Sequence, residues 1–168
     1  VKGEENRYLL AWTTTPWTLP ANMALAVGET IDYVEVKPEG ADESLILAKS
    51  LLSVIEGEYE TVAEMKGSSL LGMEYEPLYA IAPENSLSTA YRIYAGDFVS
   101  TEDGTGIVHI APAYGEDDAE LGRREDIAPV MSVDATGIMG EGMPGAGKSF
   151  KDADDDVKTD LKERGLLY

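Results

Sequence analysis

Hydroxyl side chains are concentrated near the start of the chain, in the segment WTTTPWTLPAN that runs from Trp12 to Asn22. The threonines of this segment are Thr13, Thr14, Thr15 and Thr18. Hydroxyl groups both donate and accept hydrogen bonds, so closely spaced threonines could line a small polar pocket, with Trp17 as an apolar wall. The competing interpretation is a β-edge followed by a loop ordered by Pro16 and Pro20, which composition alone favours.

The segment GTGIVHIAPAYGEDDAELG, Gly104 to Gly122, contains the only histidine of the chain, His109. In a strand from Ile107 to Ile110 the side chains alternate, and a lone histidine in a strand is more often structural than catalytic. Asp118 follows nine residues later, near the start of a predicted helix. Its carboxylate could cap that helix or hold a substrate ammonium group.

The segment GMPGAGKS, Gly142 to Ser149, fits the pattern of a phosphate-binding loop, which would indicate an ATP site. Such a loop follows a buried strand and opens a helix whose amides hold the anion, whereas here TGIMGE precedes it and KDADDD begins the next helix. We therefore predict a glycine-rich connection in which Lys148 is a surface residue.

The same region offers a calcium loop as a second alternative. The residues at its first, third, fifth and twelfth places would be Asp152, Asp154, Asp156 and Glu163. Val157 occupies the sixth place, where the loop needs glycine for a sharp turn. Carboxylates in the first turn of a helix are stabilised by its dipole, so an acid-capped helix is favoured, and no metal or cofactor is predicted.

The composition restricts the classes of partner. The 168 residues include 32 acidic and 13 basic side chains, a formal net charge of −19. This charge repels nucleic acid phosphates, so any RNA contact must be local or shared with another domain. It also predicts a halophilic source, because the molar salt of such a cytosol screens the repulsion within the chain. Cysteine is absent, which excludes disulfides, thiol nucleophiles and the usual cysteine zinc sites.

The apolar runs and the first residue predict the location and the extent of the chain. No apolar run reaches the length of about 20 residues that a membrane span needs, so we expect a cytoplasmic protein. Because the sequence does not start with Met, we expect a piece of a longer chain.

Short apolar and β-branched runs predict a mainly β fold with peripheral helices. The predicted strands are Tyr8–Thr13, Ile31–Val36, Ser44–Ala48, Tyr59–Met65, Tyr91–Tyr94, Phe98–Thr101, Ile107–Ile110 and Ala128–Val133. The predicted helices are Glu116–Arg124 and Asp152–Arg164, with a short one through Leu51 and Ile55. Many short strands favour a closed or strongly curved β structure in one domain, 1–168.

WTTTPWTLPAN and DFVSTEDGTGIVHIAP, continued by AYGEDD, together with LKERGLL, occur here in the order that is typical of one family. The chain resembles the editing domain (connective polypeptide 1) inserted into isoleucyl-tRNA synthetases, over nearly its whole length. The related domains for valine and leucine carry arginine directly after two threonines, where this chain has Thr15. That difference and Trp17 favour the isoleucine family.

The resemblance implies a closed six-stranded β-barrel core of the class I synthetase editing-domain type. It also implies hydrolysis of the ester that joins wrongly attached valine to the 3′-adenosine of isoleucine tRNA. The partners implied are that tRNA end and the remainder of a parent synthetase. The two signature motifs of aminoacylation, one of the His-Ile-Gly-His type and one of the Lys-Met-Ser-Lys-Ser type, are absent. The chain itself is therefore not expected to aminoacylate, and the alternative to hydrolysis is a non-catalytic module that binds the tRNA end or packs against the parent.

The resemblance also implies roles for individual residues. Thr13, Thr14 and Thr15 would line the site and hold the terminal adenosine and the ester, with Thr18 and Asn22 nearby. Asp118 would pair with the α-ammonium group of the substrate. His109 would shape the pocket that admits valine and excludes isoleucine, and Trp17 would add an apolar wall.

Overall fold

The computed structural model describes all 168 residues and divides into two compact units. The first unit comprises Val1–Thr13, Ala24–Glu76 and Tyr91–Ile110, and contains every strand. The second unit comprises Thr14–Met23, Pro77–Ala90 and Ala111–Tyr168, and contains both α-helices.

Seven strands form two separate sheets in the first unit. The strands are β1 (Arg7–Leu9), β2 (Ala24–Val27), β3 (Asp32–Pro38), β4 (Ser44–Ala48), β5 (Tyr59–Lys66), β6 (Arg92–Ala95) and β7 (Ile107–Ile110). One sheet has the order β1-β4-β3-β5 and the other has the order β6-β2-β7. Both sheets are mixed, because β1 pairs with β4 and β2 pairs with β6 in parallel while the remaining pairs are antiparallel.

The predicted closed six-stranded barrel is wrong. The outermost strands, β1 and β5 in the first sheet and β6 and β7 in the second, each have a single neighbouring strand. Beyond β6 and β7 there are only isolated bridges, Glu74–Arg92 and Trp12–Val108. Closure would require these edges to hydrogen-bond to another strand, but β1 has only three residues and β5 is exposed at six of its eight positions. The architecture is therefore two open mixed sheets of four and three strands.

Side chains of β3 and β4 alternate between two hydrophobic clusters. Tyr33, Ile46 and Ala48 belong to one cluster, whereas Val34 and Leu47 belong to the other. Because successive strand residues point to opposite faces, a strand that is buried on both faces reads as a continuous apolar run. This explains why Ser44–Ala48 was predicted with the correct bounds.

Two buried polar groups connect distant parts of the first unit. The Tyr33 hydroxyl donates to the carbonyl of Gly106 at 2.6 Å and accepts from the backbone N–H of Gly28 at 3.1 Å. The guanidinium of Arg7 on β1 pairs with the buried carboxylate of Glu35 on β3 at 2.9 Å. Hydrogen-bonded buried groups of this kind fix strand positions because an unpaired one would be costly.

The remaining strand predictions agree only partly with the structure. β1 ends at Leu9, before the predicted limit of Thr13. Phe98–Thr101 and Ala128–Val133 form no strand: a turn closes from Val99 N–H to Gly96 O, and Pro129 lies within the second segment. β2 was not predicted.

Helix α1 spans Glu116–Arg124, as predicted, and α2 spans Phe150–Glu163. α2 buries Ala153, Val157 and Leu161, which repeat every four residues along one face. The short helix predicted through Leu51 is a 3₁₀ segment, Lys49–Val54. Neither α-helix has the length and apolar character that crossing a membrane would need.

Candidate functional site

The threonine-rich segment turns into a 3₁₀ helix, Pro16–Ala21, in the second unit. Pro16 occupies its first position, where the absence of a backbone N–H costs nothing. Thr15 precedes this turn, and its carbonyl accepts a hydrogen bond from the Thr18 hydroxyl at 2.8 Å. The two hydroxyl oxygens lie 3.3 Å apart, so the structure brings Thr15 and Thr18 together.

The other polar residues of this segment differ in exposure. Thr14 and Thr15 are exposed, whereas Thr18 and Asn22 are buried, at 5% and 4% exposure. Thr13 is half-buried and belongs to the first unit. Only the hydroxyls at the start of the segment are therefore accessible to a ligand.

Trp17 is held by backbone and ring contacts within the second unit. Its backbone N–H donates to the Asp154 carboxylate on α2 at 2.8 Å. Its ring lies 4.9 Å from the Tyr114 ring, in an edge-on arrangement, and 4.7 Å from the Phe150 ring. Such aromatic pairs contribute beyond their buried area, so Trp17 is part of a rigid aromatic cluster.

Tyr114 is itself fixed by its hydroxyl group. This oxygen accepts hydrogen bonds from the Ser132 N–H at 2.6 Å, the Ser132 hydroxyl at 3.1 Å and the Val133 N–H at 3.1 Å. Sequence reasoning missed Tyr114, Phe150 and Asp154. The signal for Tyr114 was its position in the motif APAYGEDD, but nothing local links it to Trp17.

Asp118 lies in the first turn of α1 and is half-buried. Its Oδ2 accepts a hydrogen bond from the backbone N–H of Ala111 at 2.8 Å. Burial raises the pKa of this carboxyl, the Ala111 N–H opposes that rise, and the charge of Asp117 adds to it. The Asp118 carboxyl is thus partly desolvated, and the charge that influences it, that of Asp117, is also negative.

Gly115 makes room for that carboxyl group. A Cβ atom at Gly115 would lie 2.9 Å from Cγ and 3.0 Å from Oδ1 of Asp118. The backbone at Gly115 is extended, with φ −136°, so the restriction is steric rather than conformational. Gly115 was not predicted as a site residue.

His109 lies on β7, opposite Leu25 of β2, and belongs to the first unit. It is buried, with 8% exposure, and burial lowers the pKa of its imidazole to about 4. The ring is therefore neutral near pH 7 and offers a polar but uncharged surface.

The phosphate-loop and calcium-loop alternatives do not fit the geometry. Gly142–Ser149 forms turns with positive φ at three glycines, and the Lys148 ammonium pairs with both carboxylate oxygens of Asp156 at 2.7–2.8 Å. The four carboxylates of the calcium pattern all lie within the continuous helix α2, so they cannot wrap around an ion. An open groove beside α2, lined in part by Tyr79, Pro144 and Asp160, contains none of the predicted site residues.

Comparison with curated proteins shows a close similarity over the whole chain. The chain is 55% identical over 169 residues to an isoleucine–tRNA ligase of Clostridium acetobutylicum, and 50% identical over 171 residues to one of Clostridium tetani. It is 41% identical over 169 residues to the enzyme of Picrophilus torridus. In the two clostridial comparisons the whole chain is matched, in the third 99% of it is, and each time it spans 16% of the relative's length. These organisms give no support to the halophilic source predicted from the charge.

No family model matches the chain. Among solved structures, the leucyl-tRNA synthetase editing domain of P. falciparum matches with a TM-score of 0.73 and 12% identity, covering 95% of this chain and 78% of that one. The structure of GlLeuRS-CP1 matches with a TM-score of 0.72 and 20% identity, covering 95% and 82%. The chain therefore has the fold of a synthetase editing domain and is similar, along its entire length, to one segment of isoleucine–tRNA ligases.

Proposed function

We propose that this chain hydrolyses the ester of valine wrongly attached to isoleucine tRNA and spares correctly charged tRNA. The support is its whole-chain similarity to a segment of isoleucine–tRNA ligases together with the editing-domain fold. Synthetase editing domains are hydrolytic, and the isoleucine enzymes are the standard example of why editing is needed. One methylene is worth only about 1–3 kcal/mol in a binding pocket, so a second pocket must remove the smaller amino acid.

The observation that carries the proposal is the environment of the Asp118 carboxyl group. Its carboxylate is partly desolvated, is fixed by the Ala111 N–H and has Asp117 as its charged neighbour. A carboxylate in that situation is stabilised by a cation, and the substrate ester carries one in its α-ammonium group. Asp118 then positions the amino acid part of the substrate.

The chemistry needs an attacking water and a means of stabilising the developing oxyanion. The water oxygen adds to the ester carbonyl carbon, the bond from that carbon to the ribose oxygen breaks, and the ribose oxygen takes up a proton. Free valine and uncharged tRNA are the products. Hydroxyls of Thr13, Thr14 and Thr15 donate hydrogen bonds to the ester and the terminal ribose, and a ribose hydroxyl helps to position the water.

The remaining residues set the shape of the pockets. Thr18 supports Thr15 through their hydrogen bond, and Asn22 follows the same turn. His109 limits the size of the amino acid side chain that is accepted, and Trp17 provides an apolar wall. The tRNA end and the remainder of a parent synthetase are the proposed partners, in the cytoplasm.

The test is deacylation of valyl-tRNA and isoleucyl-tRNA, both made on isoleucine tRNA, by the 168-residue chain over a range of salt concentrations. We expect valine to be released at least about tenfold faster than isoleucine, since removing the smaller amino acid is the purpose of a second sieve. Equal release of both amino acids contradicts the proposal. Binding of the tRNA without release of either identifies a non-catalytic module instead.

A further inference from the structure

Trp12 is an exposed aromatic residue that the roles above do not use. It is 51% exposed, and it precedes Thr13 directly in the chain. Its backbone forms a parallel bridge with Val108 of β7, within the first unit. The position of the residue is therefore set by the sheet although much of its surface faces solvent.

The indole ring rests on a glycine turn. A Cβ atom at Gly104 would lie 2.9 Å from Cε3 and 3.2 Å from Cδ2 of Trp12, which are both atoms of the six-membered ring. Gly104 also has a backbone φ of +73°, which residues other than glycine rarely adopt. The turn thus holds one part of the ring in place, and a ligand that contacts the rest meets a surface that is already ordered.

The turn against which the ring packs also contains two acidic residues. Glu102 and Asp103, in the same turn, are exposed carboxylates, and the chain carries a net charge of −19. Such a surface offers no attraction for the phosphate groups of an RNA, so an RNA end that contacts the ring does so through the neutral face of an unpaired base. Stacking of bases on aromatic side chains is the contact by which proteins hold single-stranded nucleic acid without relying on sequence.

We infer that Trp12 is a stacking platform for an unpaired nucleobase at the 3′ end of the tRNA, next to the nucleotide that carries the ester. The inference rests on the proposed function, because Thr13 beside it is assigned to that ester. Trp12 contributes to binding of the RNA and takes no part in the chemical step.

The experiment is steady-state deacylation of valyl-tRNA by Trp12→Ala, Trp12→Phe and a control, Tyr59→Ala, which removes another exposed aromatic residue of the first unit. Stacking energies correspond to a rise in KM of about 5- to 150-fold for Trp12→Ala, with kcat changed less than about threefold. Trp12→Phe keeps a ring and retains most of the affinity, and Tyr59→Ala behaves as the unaltered chain. Circular dichroism confirms that each variant is folded.

A second measurement does not depend on hydrolysis. The chain has two tryptophans, so in a Trp17→Phe variant Trp12 is the only one, and its fluorescence reports on its own surroundings. We expect quenching by a short single-stranded RNA that ends in adenosine, and none by inorganic polyphosphate or a blunt RNA duplex. Unchanged KM in folded Trp12→Ala overturns the inference and leaves the proposed function standing. If RNA quenches the fluorescence but the chain releases no valine, the inference is supported and the proposed function is contradicted. If oligolysine quenches the fluorescence and RNA does not, the inference is overturned in favour of a basic partner.

Discussion

The carboxylate of Asp118 accepts a 2.8 Å hydrogen bond from the backbone N–H of Ala111, seven residues earlier in the chain. This bond ties the first turn of α1 to the segment before it and leaves the carboxyl partly buried. Asp118 therefore has a structural contact as well as a proposed role in substrate binding, and the two can be separated by mutation.

Asp118→Asn and Asp118→Ala should differ in stability but not in activity. The amide oxygen of asparagine can still accept from Ala111, whereas alanine leaves that N–H without its partner, at a cost of about 1–3 kcal/mol in the free energy of unfolding. Neither variant carries the negative charge, so we expect both to lose at least about 30-fold in kcat/KM for valyl-tRNA, because truncating one member of a charge pair costs about 2–5 kcal/mol. Urea unfolding and deacylation rates check this. Activity retained by the asparagine variant would remove the charge of Asp118 from the mechanism.

Gly115→Ala should displace the Asp118 carboxyl group. The new Cβ would lie 2.9 Å from Cγ of Asp118, closer than such contacts normally allow, so the side chain must shift. We expect kcat/KM to fall at least about tenfold and the free energy of unfolding to fall by about 1–3 kcal/mol. The same substitution in the Asp118→Ala background provides the control, because no carboxyl remains there to collide with. An equal stability loss in both backgrounds would show that the collision is unimportant.

The single histidine should make stability depend on pH. The folded-state pKa of His109 is lowered to about 4 from an ordinary value of 6.5, so the unfolded chain takes up the proton first. The stability that this histidine contributes is complete above pH 6.5 and is lost as the pH falls towards 4, by about 2 kcal/mol at pH 5. Urea unfolding at pH 8 and pH 5 should show a smaller decrease for His109→Gln than for the unaltered chain, and the carboxylates common to both cancel. Identical pH curves would contradict the burial of a neutral imidazole.

Truncation of Lys148, which precedes α2, and of Asp154, within α2, should have different effects on stability. The Lys148 ammonium is half-exposed and pairs with Asp156, and surface pairs of this kind contribute about 0–1 kcal/mol. Lys148→Ala should therefore leave both stability and valine release nearly unchanged. Asp154→Ala removes the acceptor for the backbone N–H of Trp17 and should lower the free energy of unfolding by about 1–3 kcal/mol. Loss of valine release in folded Lys148→Ala would reopen the question of a nucleotide site in Gly142–Ser149.

Local patterns were sufficient for several elements. The apolar run Ser44–Ala48, the strand Ile107–Ile110 and the helix Glu116–Arg124 have the predicted bounds, because a run buried on both faces or an acidic helix start is encoded by neighbouring residues. β2 was missed although all four of its residues, Ala24–Val27, are buried. Small residues such as its two alanines have little strand preference, and its two partner strands are what place it there.

The sequence by itself determined the local elements with correctly predicted bounds, Ser44–Ala48, Ile107–Ile110 and Glu116–Arg124. It also contained the motifs that resemble a synthetase editing domain. Only the tertiary structure decided that the sheets stay open, since closure depends on pairing between strand edges that no local pattern encodes. It also decided that Asp154 holds Trp17 across 137 residues and that Tyr33 reaches Gly106 across 73. Contacts at such separations form when whole elements pack together. The energy that specifies them comes from packing throughout the core, and the two contacting residues alone do not determine it.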